Sequence, residues 1–172
     1  MSTLVFDQTI VTNMVEDALA LCAARVGLKD KEQAEDALRR GDCSVCEQMR
    51  NGLTQKVAEY LGSIDSTVQA VYSYESEYAT QMDEALPPRP NLSPGLSLIA
   101  RVSRKSAALS SVVASMRSAL AEEHRRLGCP KADATCCQLD VVVVDEDEVQ
   151  KRTGYGALVN SLYVRPIEVW RR

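Results

Sequence analysis

The chain has 172 residues, 45% of them hydrophobic, enough for one domain with a real core. Its net charge of −4 offers no bulk attraction to nucleic acid or to an anionic membrane. No apolar run approaches the ~20 residues of a transmembrane helix, and Met1-Ser-Thr-Leu-Val-Phe-Asp7 lacks the basic and apolar regions of a signal peptide.

A cytoplasmic protein is the expectation. Six cysteines in a reducing compartment read as core residues, metal ligands or redox groups rather than as a disulfide framework.

Asp7 or Thr9 opens a first helix with Val11, Met14, Val15, Ala18, Cys22 and Val26 on one face, and Gly27 lies just past its end. Cys22 falls inside that stripe and reads as a small buried hydrophobe. A short second helix follows from Asp30, with Gln33 as capping partner and only Ala34, Ala37 and Leu38 apolar. Gly41 stops it.

Asp42-Cys43-Ser44-Val45-Cys46 opens the third helix. Asp42 is one cap, and Ser44 with Glu47 is an alternative. Either choice puts Cys46 in the first turn, where unpaired amides and the positive end of the dipole favour a thiolate. The stripe Cys46, Met49, Leu53, Val57, Tyr60 and Leu61 turns Cys46 toward a core or an interface. The helix runs to about Leu61.

Val68 to Tyr74 reads as a strand, with helix continuation as the rival. Pro87-Pro88-Arg89-Pro90 is a stiff connector. Ser93-Pro94 then reads as the cap of a long helix ending at Gly128-Cys129-Pro130. Its steps of three and four, through Ile99, Val102, Leu109, Val113, Met116 and Leu120, resemble a bundle or coiled-coil seam. About 34 helical residues would span roughly 50 Å, more than this domain needs.

Leu139 to Val144 carries four consecutive valines and is expected to be an interior strand covered on both faces. Asp145 and Glu148 cap a short helix, and the run Asp145-Glu-Asp-Glu148 is explained by the helix dipole better than by a cation. Leu162 to Trp170 reads as a last strand, placed at an edge or a bulge by Pro166. A helix-turn-helix over 145–164 is the weaker alternative, because its second helix would present a poor base-reading face. The fold expected is therefore α+β and mostly helical, with a small three-stranded sheet packed against long helices. It is a single domain over 1–172, with a helical part at 1–62 and a sheet and long-helix part at 63–172.

Two classes of function follow. The first is an interaction or scaffold protein that associates through the long helix, as a homodimer or with a helical protein partner. Its interface candidates are Ile99, Val102, Leu109, Val113, Met116 and Leu120. The second is a thiol protein centred on Cys43-x-x-Cys46. The pair could be a dithiol redox site, although the strand that usually precedes such a motif is absent. It could be half of a zinc site completed from Cys129, Cys136 or Cys137, although a second Cys-x-x-Cys is lacking. It could also be two half-buried thiols without function. Zinc is the candidate cofactor, and an iron–sulfur cluster ranks below it. His124, the only histidine, reads as a solvated cap of the long helix. No nucleotide-binding, hydrolase or metalloprotease motif is present, so no catalytic residue is assigned.

Overall fold

A computed structural model describes residues 6–74, 95–128, 138–162 and 166–172. Three helices come first. In α1 (Gln8–Val26) the Asp7 carboxylate accepts from the Thr9 amide at 2.9 Å, and Gly27 closes the helix at φ 75°. In α2 (Lys31–Arg39) Asp30 accepts from the Gln33 amide, and the Gln33 side chain accepts from Lys29 N, both at 3.0 Å. In α3 (Cys43–Ile64) the cap is Asp42, which accepts from the Val45 amide at 3.2 Å. Helix α3 runs past Gly62 because Trp170 lies against that glycine, and an added Cβ would overlap the ring. The glycine is there for close approach, not for termination.

Among the described residues the sheet has four strands, β1 (Val68–Ser73), β2 (Leu96–Val102), β3 (Leu139–Asp145) and β4 (Ile167–Arg171), in the order β3-β2-β1-β4. Strand β1 is antiparallel to both neighbours, and β2 pairs parallel with β3. The parallel pair is joined by α4 (Ala107–Leu127), because parallel neighbours need a crossover. Two short helices, α5 (Glu146–Lys151) and α6 (Gly156–Val159), link β3 to β4.

Each sheet face has its own apolar layer. Val68, Val71, Leu96, Leu98, Ala100, Val102, Leu139 and Val141 join the main core with α1, α3 and α4. Ala70, Tyr72, Tyr74, Ile99 and Val144 face Val149 and Leu158 of α5 and α6.

Three expectations need correction. The sheet has four strands, not three, because Leu96–Val102 is a strand rather than the start of the long helix. Leu96, Leu98, Ala100 and Val102 alternate onto one face, yet Ile99 is buried on the other. A strand buried on both faces loses its polar alternation, and the Ile99–Val102 step then imitates a helical stripe. Helix α4 begins only after Ser106, whose hydroxyl accepts from the Leu109 amide at 3.1 Å. It has 21 residues, or roughly 32 Å at ~1.5 Å each, not 50 Å. Finally, β3 is an edge strand, not an interior one. Its valines do face apolar layers on both sides. Coverage of faces is a matter of layers and does not fix lateral order.

Other readings agree with the structure. Val68–Ser73 is a strand, and the last strand is an edge strand whose register against β1 slips between Val71 and Tyr72, although it starts at Ile167 rather than at Leu162 and leaves Pro166 just before it. Asp145 and Glu148 form a reciprocal capping box. The Pro87–Pro90 connector and the Ser93-Pro94 pair lie outside the described residues.

Candidate functional site

The start of α3 lies on the end of α1. Cys43 is the first helical residue and is exposed. Cys46 is turned inward and is 8% exposed. The apolar stripe explains the difference, since Cys46 shares a face with Met49, Leu53 and Val57, all fully buried. The Cys43 thiol donates weakly to the Gly41 carbonyl at 3.9 Å. Beneath Cys46 lies a thiol that the motif does not include. Cys22 of α1, 1% exposed, donates to the Val45 carbonyl at 3.5 Å. Burial pushes the Cys22 thiol up, and the neighbouring Cys46 raises it further. Cys22, Cys43 and Cys46 are all thiols here.

Besides the exposed Cys43 and the buried Cys46, a third cysteine, the buried Cys22, thus comes from a second helix. A signal for the third was present in the sequence. Cys22 sits on the apolar face of α1, and α1 needed a helical partner for that face.

Cys129, Cys136 and Cys137 lie outside the described residues. Among the described residues no group of three or more His, Cys, Asp or Glu side chains is placed to hold a metal ion. Cys43 is exposed and Cys46 is buried.

The six interface candidates are all inside the chain. Ile99 and Val102 are strand residues, both 0% exposed. Leu109, Val113, Met116 and Leu120 do form one face of α4, and all four are buried against the sheet and the helical layer. Among the described residues the most exposed large apolar side chains are Leu162, 81% exposed, and Ile167, 70% exposed, the latter on the outer strand β4, with Leu21 of α1 exposed to a lesser degree.

Two further polar arrangements are structural. Arg126 of α4 reaches Glu16 of α1, Glu35 of α2 and the buried Glu123, which also accepts from Thr12 at 3.1 Å. This network joins three helices. On the second sheet face, Arg101 and Arg171 flank Ala70 in neighbouring strands. Arg101 makes a bidentate pair with Glu146, and Arg171 pairs with Glu168, so both guanidinium groups are already neutralised.

The acidic run is likewise committed. Glu146 meets Arg101, Asp147 meets Lys151, and Glu148 meets Lys105. His124 lies near the end of α4, as expected, but is half-buried rather than fully solvated. Its Nδ1 is buried with no hydrogen-bond partner, in the last turn of α4. The helix-turn-helix alternative meets two helices of six and four residues whose buried side chains pack on the sheet.

No membrane-spanning helix occurs among the described residues. No family model, curated protein or solved structure matches the chain.

Proposed function

We propose that the chain is a dithiol protein in which Cys43 meets an external disulfide and Cys46 completes the exchange. One observation carries the reading: an exposed thiol begins a 22-residue helix and is backed, one turn on, by an inward thiol. A thiol at a helix start can react as thiolate, and a second thiol nearby resolves the mixed disulfide. The test is incubation with glutathione disulfide followed by peptide mapping. Cys46 should become oxidised without retaining glutathione, and Cys43→Ser should block this. Glutathione held stably on Cys43, with Cys46 untouched, would remove the reading.

Zinc is the competing occupant. Cys43 and Cys46 would supply two thiolates, with Cys129, Cys136 or Cys137 as the rest. Metal analysis separates the two, since about one zinc per chain replaces the redox reading.

A second reading is association with another protein or a second copy. It no longer draws on the α4 seam, which is occupied within the chain. What favours it is two exposed apolar side chains, Leu162 and Ile167, the second in the outer strand β4. The bulge in β4 and its charges Glu168 and Arg171 are features that guard an edge against pairing. Sedimentation of the wild type and of Ile167→Lys tests this: an assembly lost in the variant supports it, and a wild-type monomer ends it.

A further inference from the structure

We propose that Cys46, once oxidised, is bridged to Cys22 rather than to Cys43, so that a disulfide ties α1 to α3. The inference rests on the dithiol reading above and names where the oxidised pair resides. Cys22 Sγ lies 3.5 Å from the carbonyl of Val45, the residue just before Cys46, and both thiols are buried in the same α1–α3 core. Cys46 raises the Cys22 thiol further above its ordinary value, which agrees with this proximity.

The two helices meet at Gly52 and Ala18, where an added Cβ on Gly52 would stand 3.4 Å from the Ala18 Cβ. From that contact, Cys22 is one turn along α1 and Cys46 is between one and two turns back along α3. A disulfide needs Cα atoms about 5.5–6 Å apart and Cβ vectors that face each other. Cys46 is buried near Cys22, whereas Cys43, at the start of the same helix, is exposed.

The exchange balances with a low-molecular-weight disulfide as oxidant. The Cys43 thiolate attacks one sulfur of the disulfide, a Cys43–thiol mixed disulfide forms, and the first small thiolate leaves. Cys46 Sγ, having lost its proton, attacks Cys43 Sγ, and the second small thiolate leaves. Cys22 Sγ then attacks Cys46 Sγ and releases the Cys43 thiolate. In sum, two protein thiols are oxidised to one disulfide and one small disulfide is reduced to two thiols. The protons of Cys22 and Cys46 pass to those two thiols. Cys43 is regenerated as the entry point. The last step is the slow one, because burial holds Cys22 in its protonated form.

The test oxidises the full chain with glutathione disulfide, blocks remaining thiols with an alkylating agent, and maps disulfide-linked peptides without reduction. The expected product links the Cys22 and Cys46 peptides, with Cys43 alkylated. The linked form should unfold at a urea midpoint higher by about 1 M, since the bond closes a loop between two packed helices. Cys22→Ala should abolish both the link and the shift. The mapping on the wild type does not depend on that variant folding. A Cys43–Cys46 link overturns the inference but leaves the dithiol reading standing. A link from Cys46 to Cys129, Cys136 or Cys137 overturns it as well. A Cys43 that does not react with glutathione disulfide removes the dithiol reading itself.

Discussion

At the scale of single residues, position decides chemistry more than identity does. Cys43 and Cys46 are three apart, yet the apolar face of α3 exposes one and buries the other. Gly62 is a helix-interior glycine kept for the Trp170 ring. Gly62→Ala should destabilise the fold by about 1–3 kcal/mol through overpacking, although alanine is the better helix former. Chemical denaturation would show it, and an unchanged or raised midpoint would refute the account of Gly62. Glu146 supplies a pH signature. Its carboxyl is held below the usual 4.5 by hydrogen bonds from Arg101. A lowered folded-state pKa adds stability that is complete above the unfolded value and lost as pH falls through the folded one. Glu146→Gln should therefore lower stability near neutral pH and close the gap to wild type below the ordinary glutamate range. Both groups are partly solvated, so the effect is the small one of a surface pair. A gap that persists undiminished in acid would contradict the assignment.

At the scale of elements, β2 and α4 divide the stretch that reads as one long helix. Leu109→Glu places a carboxylate at a site 1% exposed, between α4 and the rest of the core. It should cost about 3–5 kcal/mol and unfold the chain at moderate denaturant, whatever its oligomeric state. A folded variant of unchanged stability, altered only in association, would instead return α4 to the surface. The elements with local signals were legible. Asp7, Asp30, Asp42 and Asp145 cap their helices, and Gly27 and Gly128 close α1 and α4 in the left-handed region. The β2 strand was not legible, because burial on both faces erases the period-2 contrast that marks a strand. Lateral strand order was hidden for a different reason: no residue in the valine run of β3 records which neighbour lies beside it. The thiol site was half legible. The motif gave Cys43 and Cys46, but Cys22 enters from another helix, 24 positions before Cys46, and only packing brings it there.

At the scale of the whole molecule, a four-stranded mixed sheet carries its main helical layer on one face and two short helices on the other. That helical layer is held by the α1–α3 contact and by the Arg126 network. Cys22 and Cys46 sit where α1 meets α3, so oxidation there would act on the helical layer as a unit. The central claim is that the head of α3 is a graded thiol site, with one surface sulfur leading to two buried ones. Timed alkylation of the native, reduced chain, read peptide by peptide, tests it most directly. Cys43 should be labelled first, Cys46 much later and Cys22 last, with the three rates converging in denaturant. Cys46 or Cys22 labelled as fast as Cys43 in the native protein would contradict the claim.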